Sequence, residues 1–275
     1  MRILGPLAAM IGLGLLAVVA GSSAWIGASS AQAANPNALW HIVHDLCVPD
    51  FKATGAPAPC TAVDLNQGYA VLNDIRGATQ LLILPTDRIS GIESGELLSP
   101  GSHNYWQAAW QARRYFEKRV GRAVPREDIG LAINSIYARS QNQLHIHLDC
   151  VRPDVLRVLQ ANEGKIGAHW SRLNVALAGH RYRVRRLEGA ELGSRDPFKM
   201  LAGSDRQARA DMGREALVVV GAVFAGGRPG FVVLADSADL ATLDAAAGED
   251  LLDHRCTVLT VHRSRAAPRP SPRIG

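Results

Sequence analysis

Ser140-Gln141-Asn142-Gln143-Leu144-His145-Ile146-His147-Leu148-Asp149-Cys150 is the stretch from which the rest of the chain is read. From Gln143 to Asp149 polar and apolar residues alternate without a break. Successive side chains of a strand point to opposite faces. A strand here therefore puts Gln143, His145, His147 and Asp149 on one face and Leu144, Ile146 and Leu148 on the other. The apolar face supplies a core contact, and the polar face gathers two imidazoles and a carboxylate. Three readings fit that face. It can be a solvated strand surface. It can hold a metal ion, with His-x-His and Asp149 as ligands. Or one imidazole can attack phosphorus while its neighbours orient it, since imidazole is neutral and nucleophilic near neutral pH.

Working outward, Tyr69–Asn73 and Gln80–Pro85 read as apolar strands joined by a turn over Asp74–Thr79. Asn104–Val120 reads as a helix, with Tyr105, Ala109, Ala112, Phe116 and Val120 on one face. On that helix Trp106 and Trp110 are core residues or a lipid-facing patch. Gly130–Ser135 pairs naturally with Leu144–Val151, and Pro153–Ala161 starts a helix with Asp154 in its first turn. In the second half Leu217–Phe224 and Gly230–Ala235 are strands around a Gly-Pro turn, and Leu240–Leu252 reads as a helix. This order echoes the first strand–turn–strand unit and suggests a degenerate repeat. Upstream, Leu39–Cys47 reads as a short helix, followed by a loop through Cys60 that Pro49, Pro57 and Pro59 keep irregular. The class is α+β, an antiparallel sheet with helices packed on it.

The formal charge of +5 is concentrated at one end. Leu259–Gly275 holds Arg263, Arg265, Arg269 and Arg273 and no acid, and its Pro-rich composition reads as a disordered basic tail. The remainder is near neutral, which argues against nucleic acid as a partner. At the other end, no formal charge occurs between Arg2 and Asp45. Ile3–Ile26 is apolar and long enough to cross a bilayer, and Ala31-Gln32-Ala33 has the form of a signal cleavage site. Residues 1–33 are therefore expected to be a signal or a membrane anchor, with the bulk of the chain exported. Four cysteines in an exported chain favour disulfides, and Cys47–Cys60 with Cys150–Cys256 is the preferred pairing.

Gln141 followed by His145-Ile146-His147-Leu148-Asp149 resembles the histidine-triad signature, Gln-x-x-x-His-x-His-x-His. Further pieces resemble the CDP-diacylglycerol pyrophosphatase family. They are Leu39–Val43, Cys47-Val48-Pro49, Pro59-Cys60, Arg152-Pro153-Asp154, Ser194–Phe198 and Asp253-His254-Arg255-Cys256. The resemblance implies a histidine-triad-like fold, with residues 34–160 as the catalytic half and 161–258 completing it. It also implies cleavage of CDP-diacylglycerol to CMP and phosphatidate at a membrane surface, without a cofactor. The middle histidine, His147, would be the nucleophile and His145 its support. Gln141 would bind the phosphoryl oxygens, with Asn134, Gln143 and Arg139 as further substrate contacts. The third position departs from the signature, being Asp149. A shifted register, Gln143-Leu144-His145-Ile146-His147, would make His145 the nucleophile, but the Gln141 spacing prefers His147. Two other functions stay open: action on soluble nucleoside diphosphate derivatives, and metal binding by an exported protein.

Overall fold

A computed structural model describes residues 35–260. The expected signal or anchor at residues 1–33 lies outside them, as does the basic tail from residue 261 onward. Among the described residues no helix is long and apolar enough to cross a membrane.

Ten strands form one antiparallel sheet: β1 Ala62–Asp64, β2 Tyr69–Asn73, β3 Leu81–Pro85, β4 Ile129–Ile133, β5 Ile146–Val151, β6 Ser171–Arg172, β7 Arg183–Glu188, β8 Glu215–Phe224, β9 Arg228–Ser237 and β10 Leu252–Asp253. Their order is β1-β2-β3-β5-β4-β8-β9-β7-β6, with β10 paired to β5. The architecture is thus α+β, as the alternating apolar runs suggest. Strand β5 is central, held by β3 through Leu82↔His147 and by β4 through Ala132↔His147. Where β3 stops at Leu81↔Leu148, β10 takes over the edge, pairing Asp253 with Cys150.

The main core lies under the helical segments Tyr105–Gln111 and Arg113–Val120. Trp106 and Trp110 are fully buried there, against Phe198 and Phe231, so both are core residues rather than a lipid-facing patch. A second apolar cluster, containing Val43, Cys47, Ala70, Leu72, Leu82 and Leu84, occupies the opposite face of the sheet. Because Leu82 is the cross-strand partner of His147, this is the histidine face of β5. Disulfides Cys47–Cys60 and Cys150–Cys256 are both formed.

Two sequence expectations need correction. Leu240–Leu252 is not a helix. It comprises short 3-10 turns at Leu240–Thr242 and Gly248–Leu251, leading into β10. Leu243 and Ala246 have φ of 61° and 52°, left-handed values that no right-handed helix accommodates. The segment is instead held by Asp239 and Asp244, whose backbones bond to each other in both directions. Conversely, Pro49 does not end regular structure. The helical run continues from a π turn, Ile42–Cys47, into Val48–Thr54. Proline is tolerated there because it falls at the start of that last segment.

Candidate active site

The polar face of β5 is not a wet surface. Gln143 and Asp149 are fully buried, and His145 and His147 are only 8% and 4% exposed. Buried imidazoles and carboxylates persist where partners satisfy them, and each partner here identifies a neighbour.

The His145 Nδ1 atom lies 2.7 Å from the carbonyl oxygen of Gln143. A carbonyl only accepts, so Nδ1 carries the proton and Nε2 keeps its lone pair. The His147 ring stands edge-on to that of His145, with centroids 4.9 Å apart. Its Nδ1 is 2.6 Å from the Gln80 side-chain amide and 3.4 Å from Glu249 Oε2. Its Nε2 is buried and makes no hydrogen bond among the described residues. Burial pushes the His147 imidazole well below its ordinary value, helped by the neighbouring His145, His254 and Arg76. Burial likewise lowers His145. Both rings are therefore neutral near neutral pH.

Asp149, at the departing third position, binds a histidine from far along the chain. Its Oδ2 accepts from His254 Nδ1 at 2.9 Å, while Oδ1 accepts from the Thr79 hydroxyl at 2.6 Å and the Cys150 amide at 2.9 Å. The Asp149 hydrogen bond and charge raise the His254 pKa. The strand thus carries no third imidazole, but one approaches Asp149 from the residue after β10. The fit is close: a Cβ on Gly77, which has φ of 73°, would lie 2.5 Å from His254 Cβ. Glycine at this position answers both the backbone conformation and the approach.

Asn134 sits opposite His145 when the β4–β5 register is continued, and it clasps Glu249 on both sides. Its amide donates to Glu249 Oε1, and its carbonyl oxygen accepts from the Glu249 backbone N–H, both at 3.1 Å. Asn134 therefore holds Glu249, whose Oε2 lies 3.4 Å from His147 Nδ1. The other expected substrate contacts are engaged elsewhere. Gln141 donates to the Asn35 carbonyl and accepts from the Leu39 amide, tying down the start of the helical run. Gln143 donates to the carbonyls of Pro85 and Asp87. Arg139 forms an ion pair with Glu93. His41 and His44 lie at the surface, each against Asp45. Asp196, in the Ser194–Phe198 stretch, caps the helix Pro197–Ser204 through the Phe198 amide.

The metal-ligand reading of the strand does not fit the geometry. Among the described residues His145, His147 and Asp149 do not converge as a ligand set. Asp149 converges with Cys150 and Cys256, but their sulfurs are joined in a disulfide and offer no thiolate.

Sequence reasoning missed Thr79, Gln80, Glu249 and His254. Gln80 was recoverable from register, because one step beyond Leu81↔Leu148 brings it opposite Asp149. His254 was recoverable from the Cys150–Cys256 pairing, which forces residue 254 beside residue 149. Glu249 left no signal, being inside a segment read as a helix.

A model of the family described as CDP-diacylglycerol pyrophosphatase matches residues 34–260. The CDP-diacylglycerol pyrophosphatase of Yersinia pestis is 42% identical over 225 residues, covering 82% of this chain and 86% of the relative. The match takes in the histidine strand and every side chain gathered around it, so the chain belongs to the CDP-diacylglycerol pyrophosphatase family.

Proposed function

We propose that the protein cleaves the pyrophosphate of CDP-diacylglycerol, releasing CMP and phosphatidate, with His147 as the nucleophile. The observation that carries the choice of residue is the His147 ring itself. Its Nδ1 faces Gln80 and the Glu249 carboxylate, and its Nε2 has no hydrogen-bond partner among the described residues. A buried ring nitrogen without a hydrogen bond is costly. Here it is the atom a phosphorus electrophile would use. Gln80 Oε1 is buried and unpartnered among the described residues, and turning that amide over sets Oε1 on Nδ1 as an acceptor. Nδ1 then carries the proton, with the Glu249 carboxylate behind it, and Nε2 presents a lone pair.

In this reading Nε2 attacks the phosphorus that bears cytidine. The bond to the bridging oxygen breaks, phosphatidate departs, and water then hydrolyses the cytidylyl-histidine. His254, whose protonated form Asp149 favours, and Arg76 supply positive charge to the phosphoryl oxygens. His145, fixed on the Gln143 carbonyl, supports the His147 ring. Residues 34–160 carry the histidine strand, and 161–258 complete the site by delivering Glu249 and His254. The four-strand array β2-β3-β5-β4 around the His-x-His strand supports a histidine-triad-like fold. Two disulfides favour an oxidising compartment, and the apolar start of the chain favours a bacterial inner-membrane anchor with the catalytic part in the periplasm. Such an anchor would keep the site at the surface where its lipid substrate resides.

The test is CMP release from CDP-diacylglycerol in detergent micelles by the wild type, His147→Ala and His145→Ala. Loss of turnover in His147→Ala, together with a trapped cytidylylated wild-type protein, is expected. A trapped adduct on His145 would transfer the nucleophile to that residue. No CMP release by folded wild type would overturn the substrate assignment.

A further inference from the structure

A second cluster of titratable side chains lies on the far side of the sheet order from the histidine strand, and the mechanism above does not use it. His180 precedes β7, Asp236 lies near the end of β9, and Asp244 lies in the segment before β10. One ligand atom from each of the three falls within 4.8 Å of the others. His180 Nδ1 is 2.7 Å from Asp244 Oδ2. Asp236 is the unusual member. It is 6% exposed, one of its oxygens accepts from the Ser237 amide, and the other, Oδ2, has no hydrogen-bond partner among the described residues. Continuing the register Arg183↔Ala235 by one residue places Tyr182 opposite Asp236, and the buried Tyr182 hydroxyl is also without a partner among the described residues.

A buried carboxylate oxygen is expensive to leave unsatisfied, and two carboxylates held together are more so. A cation removes that cost. His180 and Asp244 are about one-third and one-sixth exposed, so the cluster is open to solvent on one side while Asp236 closes it on the other.

We propose that His180, Asp236 and Asp244 form a binding site for a divalent transition-metal ion, of the zinc or manganese kind. One nitrogen and two carboxylate donors suit those ions, whereas calcium and magnesium favour all-oxygen shells. The site is structural in role. Asp244 also accepts from the Ala246 amide, and the carbonyl of Ala246 accepts from the Ser135 amide at the end of β4. A metal on Asp244 thereby secures the segment that goes on to deliver Glu249.

The experiment uses the full-length protein, stripped with chelator and then titrated with zinc or manganese chloride alone. Calorimetry reads the stoichiometry, and thermal unfolding reads the shift in midpoint. About one equivalent bound and a raised midpoint are expected, since a ligand that binds only the folded state stabilises it. Loss of a second-shell partner already weakens metal sites by about 10–100-fold, so loss of a ligand in Asp236→Asn is expected to cost at least about 100-fold in affinity. His180→Ala, at a partly exposed position, gives the same readout should Asp236→Asn fold poorly. His147→Ala is expected to bind the ion as the wild type does. No binding by the wild type, or binding that survives His180→Ala and disappears in His147→Ala, would overturn the proposal.

Discussion

At the scale of single residues, the surroundings push three nearby histidines in different directions. Burial favours the neutral form of His145 and His147, and the Asp149 hydrogen bond favours the protonated form of His254. The acid limb of kcat/KM should therefore fall below pH 6.5, the ordinary imidazole value from which His147 is depressed. Arg76 contributes to that depression, so Arg76→Ala is expected to move the acid limb to higher pH. A pH–rate profile checks both. Glu249→Gln should preserve the clasp with Asn134 while removing the carboxylate charge behind His147. A loss in kcat of about 100-fold or more is expected, with a much smaller change in KM. An unchanged kcat would separate Glu249 from the chemistry. His145, His147 and Asp149 could be read from one strand because a two-residue period is a local property of sequence. Their partners could not, because nothing local links residue 149 to 254 or 147 to 249.

The elements show the same division between what is local and what is not. Strands β2, β3, β8 and β9 and the helix Pro153–Ala161 were legible as apolar runs with Gly, Pro or acidic boundaries. Strand β7 was not, because Arg183, Arg185 and Arg186 give it the composition of a solvated loop. It becomes a strand by pairing with β9 over six residue pairs, from Arg183↔Ala235 to Glu188↔Gly230. The helix Pro197–Ser204 was also missed, although its start is well marked by Asp196 and Pro197. This cap has a measurable signature. Burial raises the Asp196 pKa to about 6, above the 3.8 of a free side chain. A raised carboxyl contributes stability that is fully present below the unfolded value and lost as pH rises through the folded one. Asparagine caps helices about as well as aspartate and carries no charge. Asp196→Asn is therefore expected to stabilise the protein by on the order of 1–3 kcal/mol above pH 7, where Asp196 is ionised, and by little near pH 4. Denaturant melts at the two pH values decide it, and an equal effect at both would show that burial does not govern this carboxyl.

For the molecule as a whole, the decisive feature is that the site is assembled from three distant parts of one chain. The turn before β3 brings Arg76, Thr79 and Gln80, the β4–β5 pair brings Asn134 and the histidines, and the end of the domain brings Glu249 and His254. The Cys150–Cys256 disulfide joins the last two parts across a separation of 106 residues. Closing a loop of that size removes enough unfolded-chain entropy to stabilise a fold by roughly 4–5 kcal/mol, against about 3 kcal/mol for one the size of Cys47–Cys60. The larger difference is one of placement. Cys256 follows His254 closely and Cys150 follows Asp149, so this bond also sets the distance across which the two side chains meet. Cys47–Cys60 lies in the apolar cluster with Ala70, Leu72 and Leu84, and neither cysteine adjoins a site residue in sequence. Replacing Cys150 and Cys256 with alanine should therefore lower the melting temperature more than the same change at Cys47 and Cys60. It should also depress kcat in the fraction that remains folded, with the His254→Ala variant losing little more when combined with it. Measuring both pairs side by side separates the two roles. Equal losses of kcat would mean that the disulfides serve stability alone, and that β10 by itself holds His254 on Asp149.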